Sequence, residues 1–342
     1  MLFNLQIPFH LFVVRNVINI VSYFFTMKTT QTMETTLIDM RRPVVATLLS
    51  FNRADLNSVS ILKKYIDANP SRSCDFSIGG ILIWADYFDY EYCVVRDTLF
   101  LKGRDERGIF FHQPLGSLPE EEALALIKDY CDANEVSARI IIPGECEAAA
   151  IEDVEASHAS NLPGWREYMY NIEQFIGFSG KKMEKKRNHL NYFMNHYGDY
   201  ELEILDGSEL QAKELFEFND KFNLYHKEGG SFDYESEAIG KAIRNYNCYP
   251  FFGLLLRHEG KIIGYTFGEA VGDTFIIHAE KGDIEYRGVY QALSSLLSRK
   301  IKEKYPEVNF LNREDDMGNE YLRQSKLSYH PTKFIAKWEI SA

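Results

Sequence analysis

Cysteine is scarce in this sequence, and the few cysteines do not cluster. Five of them are spread over 342 residues. No two form a CxxC pair, so the sequence offers neither a disulfide framework nor a cysteine-based zinc motif. A scattered, odd-numbered set of this kind is typical of a reduced protein. We therefore expect a cytoplasmic protein that needs no metal.

Basic residues are also in the minority. The chain has 38 Lys and Arg against 50 Asp and Glu, which gives a formal net charge of −12. A surface that coats nucleic acid needs many Lys and Arg side chains to replace the counterions of the phosphates. The composition excludes a broad surface of that kind but leaves room for a local basic groove.

The apolar segment at residues 1–26 is interrupted too often to predict a membrane span. Arg15 lies in its middle, and a central Arg costs about 2.5–3.5 kcal/mol on the insertion scale. We expect residues 1–26 to lie outside the fold, within an N-terminal extension of residues 1–39, so that a chain starting at Met27 still folds. The alternative is a weak membrane-surface anchor.

Three familiar catalytic motifs are incomplete. The segment GFSGK at 177–181 fails the nucleophile elbow, and a phosphate loop would need glycine in place of Phe175. His278 and Glu280 have H-x-E spacing, but no P-C-x-x-C follows them, so zinc deaminase chemistry is excluded.

The pattern of apolar residues divides the chain into two units joined by a polar linker at 151–164. The first unit, residues 40–155, is predicted to contain a helix at 57–70, strands at 79–87, 91–103 and 109–116, a helix from Pro119 and a strand at 138–144. The 91–103 segment is expected to be a hairpin that turns at Arg96 and Asp97.

The second unit, residues 165–342, begins with a predicted strand at 168–178 and a helix at 179–198 that is capped by Ser179. A strand, two helices, three antiparallel strands, a helix, a strand, a short helix and a closing strand follow. That order is the order of GNAT acyltransferases, and the first unit repeats a shorter version of it. We therefore predict an α/β fold of two tandem GNAT-like domains with mixed, largely antiparallel sheets.

Four segments show a more specific resemblance. GKKMEKKRNHLNYF, IIHAEK, GVYQAL and NREDDMGNEYLRQSKLSYHP resemble the family named for the C-terminal domain of phosphatidylglycerol lysyltransferases. The understood members of that family carry aminoacyl groups from charged tRNA to a lipid amine or hydroxyl, or to peptidoglycan peptides. The resemblance implies a transferase ancestry without fixing the substrate.

The phosphate-binding motif of GNAT enzymes that use CoA is largely missing. Of the expected Q/R-x-x-G-x-G/A, only Gly288 is present. Glu285 places an acid and Tyr290 a bulky side chain where the pyrophosphate would lie, although Arg287 offers a compensating charge. We expect weak acetyl-CoA binding or none. The alternative is that these residues only begin a helix.

Two carboxylates are candidates for the general base. Glu280 is predicted to share one strand face with His278 and to be followed there by Lys281, although an ion pair at the end of a surface strand fits the same pattern. Asp315 is the second candidate.

Residues 312–331 are predicted to form a polar wall that binds the donor. Mixed charges beside an apolar sheet are costly unless they are paired. The predicted substrate-binding residues here are Asn312, Arg313, Glu314, Arg323, Lys326 and Tyr329. Outside this segment, the predicted substrate-binding residues are His278, Lys281, Arg287, Gly288 and Tyr290. The alternative is a solvated loop in which Asp316 caps the final helix.

Five cations crowd the start of the predicted 179–198 helix, at the end that the helix dipole disfavours for cations. They are Lys181, Lys182, Lys185, Lys186 and Arg187. Their mutual repulsion predicts an anionic partner, either tRNA or an anionic membrane surface.

Three functions stay open at this point. The leading one is an aminoacyl- or acyltransferase that takes an activated acyl group from aminoacyl-tRNA or acyl-CoA to an amine or hydroxyl, such as a phospholipid headgroup. A catalytically inactive binding module and a CoA-dependent N-acetyltransferase are the alternatives.

Overall fold

One continuous sheet of fourteen strands runs through the computed structural model, which describes residues 48–147, 159–225 and 231–341. The predictions for the extension 1–39 and for residues 151–158 of the linker lie outside the described residues. Two strands lie beside the main path of the sheet, and the other twelve form that path.

In the first half of the chain, residues 48–147 supply six strands and three helices. The strands are β1 (Asn52–Arg53), β2 (Glu91–Val95), β3 (Thr98–Asp105), β4 (Gly108–His112), β5 (Leu115–Gly116) and β6 (Arg139–Glu147), and the helices are α1 (Val59–Ala68), α2 (Ile78–Ile83) and α3 (Glu120–Ala133). The predicted hairpin is confirmed: β2 pairs with β3, and Arg96 and Asp97 take the positive φ values of 49° and 53° that a tight two-residue turn requires.

The predicted strand at 79–87 is wrong, because this segment begins as helix α2. Ser77 accepts a hydrogen bond from the Gly80 amide at 3.0 Å. The Glu269 carboxylate accepts from the amides of Ile78 at 3.2 Å and Gly79 at 2.5 Å. Three amides at the helix start, which lack partners within a helix, are thus satisfied by side chains, and one of those side chains is distant in sequence.

The second half supplies eight strands and six helices among the described residues. The strands are β7 (Ala159–Asn161), β8 (Glu167–Asn171), β9 (Glu201–Ile204), β10 (Phe252–His258), β11 (Lys261–Val271), β12 (Thr274–Gly282), β13 (Phe310–Asn312) and β14 (Lys333–Ser341). The helices are α4 (Ile172–Gly177), α5 (Glu184–His196), α6 (Glu209–Tyr225), α7 (Ser231–Arg244), α8 (Val289–Lys304) and α9 (Glu320–Leu327). From β9 to β14 the predicted order is confirmed element by element.

Two predictions near the start of this half are wrong. The expected strand at 168–178 ends at Asn171, whose side chain accepts from the Glu173 amide at 2.9 Å and starts helix α4. The expected cap Ser179 does not start the next helix, since α5 begins at Glu184 and Met183 is its N-cap. Lys181 and Lys182 therefore precede the helix.

Strand β14 joins the two predicted units into one sheet, whose main path has the strand order β1-β2-β3-β4-β6-β14-β8-β13-β12-β11-β10-β9. It pairs with β6 along nine residues on one side and with β8 on the other. Part of the predicted linker also belongs to the sheet, because Ala159–Asn161 pairs with β14 as β7. The division into 40–155 and 165–342 therefore stays a prediction about sequence units that share a sheet.

The apolar core covers both faces of this sheet. Helix α8 packs on one face through Val289, Leu293, Leu297 and Ile301, while α6 and α7 cover the β10–β12 region of the other face through Leu215, Phe218 and Ile239. Within the three described ranges, no helix combines the length and the apolar character needed to cross a bilayer.

Candidate functional site

Strands β12 and β13 separate at the centre of the sheet. Their parallel pairing ends at Ile276 and Asn312. The chain after Asn312 stays beside β8, where the Arg313 amide donates to the Tyr168 carbonyl at 3.1 Å and the Tyr168 amide donates to the Glu314 carbonyl at 3.2 Å. Strand β12 continues to Gly282, so Arg313–Asp315 and the second half of β12 border an opening in the sheet.

A β-bulge in β12 overturns the prediction that His278 and Glu280 share a face. The register between β11 and β12 shifts at Phe267/Gly268, which leaves His278 as an extra residue. An extra residue reverses the alternation of side chains beyond it. His278 consequently faces α2, where it is 2.9 Å from Glu269, whereas Glu280 faces α8, where Ser294 donates to it at 2.9 Å.

The α8 side of the opening is filled by an ion pair and an aromatic ring. Arg313 Nη2 donates to Glu280 Oε1 at 2.6 Å, and the Arg313 guanidinium lies 4.8 Å from the centre of the Tyr329 ring. Gln291 donates to the Tyr329 hydroxyl at 2.7 Å, and Lys186 Nζ lies 3.6 Å above the same ring. Since Ser294 and Arg313 engage both oxygens of Glu280, this carboxylate serves as the counterion of Arg313.

The opposite side holds a group of ionisable residues that we term the acid–lysine cluster. Lys281 is buried, and the other members are half-buried: Glu235, Glu314, Asp315 and Lys326. Burial raises the pKa of the Asp315 carboxyl to about 7, against the opposing effect of Lys326. Burial also raises the pKa of Glu235 and lowers the pKa of Lys281 and of Lys326. Lys326 Nζ donates to the carbonyl oxygens of Arg313, at 2.6 Å, and Asp315.

His278 lies between two carboxylates beside this cluster. Its Nε2 is 2.9 Å from Glu269 and its Nδ1 is 2.8 Å from Glu314. Burial disfavours the imidazolium, but the two hydrogen-bonded carboxylates outweigh burial and raise the pKa of His278 to about 9. The ring packs so closely on α2 that a Cβ on Gly79 would lie 2.3 Å from Nε2.

We expect the cost of His278→Gln to depend on pH. The folded-state pKa is raised, so the stabilisation by the imidazolium is fully present below pH about 6.5 and is lost as the pH rises through about 9. The free energy of unfolding lost by the variant should therefore be larger at pH 6 than at pH 9.5, by about 3 kcal/mol. Urea denaturation at both pH values measures it. The exposed His196, which bonds the Tyr192 carbonyl, supplies the control variant His196→Gln; an equal cost of His278→Gln at both pH values would contradict the expectation.

A second buried network, which sequence reasoning missed, lies under the chain segment before α2. Lys337 Nζ is 2.6 Å from Glu167 and 2.5 Å from Asp75. Glu167 also accepts from Ser73 Oγ at 2.6 Å, from the Cys74 amide at 2.8 Å and from the Asn312 side chain. Residues from β8, β13 and β14 thus hold this segment against the sheet.

Part of this network has the composition of a metal site. Cys74, Asp75 and Glu167 bring potential ligand atoms within 4.8 Å of one another. The Lys337 ammonium already bonds both carboxylates, and burial raises the pKa of the Cys74 thiol well above its usual value. A site that holds an ammonium and a protonated thiol does not suit a metal cation.

The 312–331 segment contributes to the opening only in part. Arg313, Glu314, Asp315 and Lys326 border it, whereas Asn312 is the last paired residue of β13 and its side chain bonds Glu167 in the second network. Arg323 instead pairs with the buried Asp316 at 2.9 and 3.1 Å, and Tyr168 donates to the same carboxylate. The cap of α9 is Asn319, which accepts from the amides of Tyr321 and Leu322 at 2.9 and 3.1 Å, so Asp316 is not the N-cap.

The five cations of the basic segment have different roles in the structure. Lys181, Lys182 and Lys185 are exposed. Lys186 lies against Tyr329, where burial lowers its pKa to about 8. Arg187 donates to the carbonyls of Phe178 at 2.8 Å and Gly180 at 3.1 Å, so it stabilises the preceding turn.

The beginning of α8 lies beside this basic segment. Gly288 is the N-cap with φ 93°, and a Cβ there would lie 2.2 Å from the His189 carbonyl oxygen. Arg287 is exposed and lies 4.5 Å from the centre of the Tyr192 ring. Burial has the largest lowering effect on the pKa of His189, and the charges of Arg287, Lys186 and Lys185 lower it further. These three cations therefore lie near His189.

The chain resembles one described family and several solved structures. The sequence profile of the family described as phosphatidylglycerol lysyltransferase, C-terminal, matches residues 68–340. An uncharacterized protein of Mycoplasmoides gallisepticum is 31% identical over 187 residues, which are 54% of this chain and 57% of that protein. The match thus spans less than two thirds of that curated relative's own length.

Two solved structures share the fold. A conserved protein of unknown function from Bacteroides thetaiotaomicron has a TM-score of 0.75 at 25% identity, with 86% of this chain and 99% of that chain covered. The C-terminal domain of a putative lysylphosphatidylglycerol synthetase from Agrobacterium fabrum has a TM-score of 0.56 at 14% identity, with 83% of this chain and 91% of that chain covered. The predicted fold class, α/β with GNAT-like units and a largely antiparallel sheet, is confirmed.

Proposed function

Because the chain belongs to the family of the phosphatidylglycerol lysyltransferase C-terminal domain, we propose that it moves an aminoacyl group from aminoacyl-tRNA to an amine or hydroxyl acceptor, such as a phospholipid headgroup. The acceptor loses a proton and attacks the ester carbonyl. The ester bond to the tRNA then breaks, and the released ribose oxygen takes up a proton. Such a reaction needs a general base near neutral pH and a cleft that accepts both substrates.

The observation that carries this proposal is the Asp315 carboxyl at the opening of the sheet. Its pKa of about 7 matches the operating pH, which is the condition under which a general base is most effective. The neighbouring Lys326 side chain bonds the Asp315 carbonyl oxygen and so fixes the backbone at this position. Glu280, the other candidate from sequence, is engaged by Arg313 and Ser294.

The same geometry disfavours a CoA-dependent N-acetyltransferase. A CoA enzyme of this order would need space beside the start of α8 for the pyrophosphate. The Tyr290 side chain lies in this space and is largely buried, which raises its pKa to about 12. The ion pair of Arg313 with Glu280 also connects the two sides of the opening. Glu285 adds a negative charge at the surface.

The proposal is tested by following a radiolabelled aminoacyl group. The protein is incubated with tRNA charged with a mixture of labelled amino acids and with vesicles that contain phosphatidylglycerol, and the lipids are then extracted and separated. We expect label in a new lipid species and no transfer of labelled acetyl from acetyl-CoA. If the label stays on the tRNA with every lipid, amine and hydroxyl acceptor tested, the proposed aminoacyl transfer is refuted. If labelled acetyl is transferred, a CoA-dependent N-acetyltransferase is favoured instead.

Exposed lysines beside α5 are expected to attract the anionic tRNA. Reversing Lys181, Lys182 and Lys185 to Glu should leave the fold intact, because all three side chains are exposed. Removing a cation that neutralises a phosphate reduces the salt dependence of binding. We expect tRNA affinity at 50 mM salt to fall by about tenfold or more, and the difference to shrink at high salt as the charges are screened.

The control for this charge reversal replaces three exposed lysines elsewhere, Lys213, Lys221 and Lys261, by Glu. Both variants have the same net charge, so only the location of the change differs. Filter binding over a salt series compares them. Equal losses in both variants would show that the overall charge, and not this surface, governs the attraction. Lys186 and Arg187 are left unchanged, because their contacts with Tyr329 and with the Phe178 carbonyl would confound folding with binding.

A further inference from the structure

Lys281 carries a buried ammonium group that has no hydrogen-bond partner among the described residues. The residue is 4% exposed, and its Nζ is a buried, unsatisfied donor. The closest aromatic contact is with Phe222 of α6, whose ring centre lies 5.2 Å from Nζ. A cation over a ring gains some energy, but three strong donors remain without an acceptor.

Among the described residues, the carboxylate whose charge acts on Lys281 is that of Glu235 on α7. Its charge raises the pKa of Lys281 against the lowering effect of burial. Reciprocally, burial raises the pKa of Glu235, and Lys281 and Lys326 lower it. Each charge shifts the pKa of the other group, but the two groups form no ion pair. The buried Lys337 and the half-buried Arg313, in contrast, each form one.

A buried cation and a half-buried carboxylate that remain apart are unfavourable for folding. An uncompensated buried charge destabilises the folded state, and an apolar side chain of similar volume serves the fold as well or better. Strained or unsatisfied groups of this kind are typical of binding sites, where a ligand completes them. A ligand that satisfies both must present a cation to Glu235 and a hydrogen-bond acceptor to Lys281.

We propose that Glu235 and Lys281 bind the aminoacyl group of the donor, an inference that rests on the proposed function. The Glu235 carboxylate accepts hydrogen bonds from the α-ammonium, and Lys281 Nζ donates to the carbonyl oxygen of the ester. These two ligand groups stand on adjacent carbon atoms of every aminoacyl ester, so one short unit presents both the cation and the acceptor. When the acceptor attacks, the carbonyl oxygen gains negative charge, and its bond with Lys281 becomes stronger.

This assignment has a consequence for the substrate class. The site requires a free α-amino group on the acyl unit, so that simple fatty or acetyl esters leave Glu235 without its partner. An ester that lacks the α-amino group leaves a polar group of the site unpaired, and a site of this kind rejects such an analogue strongly. The selectivity therefore concerns the amino-acid backbone, whatever the amino-acid side chain is.

The test uses two probes that differ only in the α-amino group. They are 3′-alanylamino-3′-deoxyadenosine and 3′-propionylamino-3′-deoxyadenosine, in which an amide replaces the labile ester. We expect calorimetry to show that the wild-type protein binds the alanyl compound about 10–100-fold more tightly, as a charged hydrogen bond predicts. Glu235→Gln should abolish that preference, and Lys281→Met should weaken both compounds.

Stability measurements separate this role from a structural one. Lys281→Met removes an unpaired buried charge, so its melting temperature should equal or exceed that of the wild type. A melting temperature below the wild-type value would show that Lys281 stabilises the fold and would overturn the assignment. Glu217→Gln and Lys213→Met, on exposed positions of α6, are the controls for the two substitutions.

Transfer assays distinguish a failure of this inference from a failure of the proposed function. Equal binding of the two compounds by the wild type, or unchanged transfer by Glu235→Gln and Lys281→Met in a protein that does transfer aminoacyl groups, would overturn the inference and leave the function standing. A wild-type preference for the alanyl compound that Glu235→Gln abolishes would support the inference even if transfer to every tested acceptor failed.

Discussion

Replacing Lys337 by Met is expected to lower the free energy of unfolding by about 3–5 kcal/mol, the usual cost of removing one partner from a buried ion pair. The side chain of Lys337 is 1% exposed and lies 2.5 Å from Asp75 and 2.6 Å from Glu167. Without the ammonium, two carboxylates face each other in the protein interior. Chemical denaturation followed by circular dichroism measures the loss.

Lys333→Met is the matched control, because Lys333 lies on the same strand. It forms a 3.2 Å ion pair with Glu145, but its side chain is 31% exposed. Exposed pairs contribute about 0–1 kcal/mol, so the control should lose little. Similar losses in the two variants would contradict a special role of the Lys337 network. Adding Glu167→Gln to Lys337→Met should recover part of the loss, because it removes one of the stranded charges.

The second large effect is expected on the rate of aminoacyl transfer when Asp315 is replaced. Asp315→Asn should lower the rate of aminoacyl transfer by about 10²–10⁴-fold, the usual contribution of a general base. The wild-type rate should rise with pH through about 7, where the Asp315 carboxyl loses its proton, and the variant should lose that rise. The pH profile of kcat/KM with a saturating acceptor measures both.

Stability provides an independent check on Asp315. Burial raises its pKa, so its ionised form opposes folding at pH 8, and the neutral Asn should leave the protein as stable as the wild type or more so. Asp129→Asn, on the exposed face of α3, is the control for activity. A pH dependence that survives in Asp315→Asn but disappears in Glu280→Gln would assign the base to Glu280.

The order of elements could be predicted from the sequence because it depends on local patterns. The turn at Arg96 and Asp97, the helix after Gly288 and the three strands from 252 to 282 all follow from neighbouring residues. Helix α2 could not be predicted in this way. Its first amides bond to Glu269, which lies 190 residues after Gly79 in the chain. Local apolar spacing favours a strand, and the distant carboxylate overrides it.

The candidate site shows the same division. The charged composition of the segment after Asn312 predicts a site, and residues of this segment do border the opening of the sheet. Glu235 and Glu269 gave no local signal, because a single glutamate in a helix or strand is usually solvated. The bulge at His278 was equally hidden, since one extra residue changes no composition and yet reverses the side chains that follow it.

A stronger signal was available for Lys337. It stands between apolar neighbours in KFIAKWEI, and the alternation of a strand places it on the same face as Ile335. A lysine on a buried face needs a carboxylate partner. That reasoning predicts a buried ion pair, but it cannot say that Asp75 and Glu167 supply it, since neither is near in sequence.

The position of β14 between β6 and β8 has a consequence for synthesis. During translation, β6 and β8 both emerge before their shared neighbour, Lys333–Ser341. Until that strand arrives, each exposes an unpaired edge that is open to wrong partners. The sheet of the first half can therefore be completed only after β14 has been synthesised. Nascent chains stalled before Lys333 should be cut by protease within both halves, and protection of residues 48–147 in such chains would show that the first half matures alone.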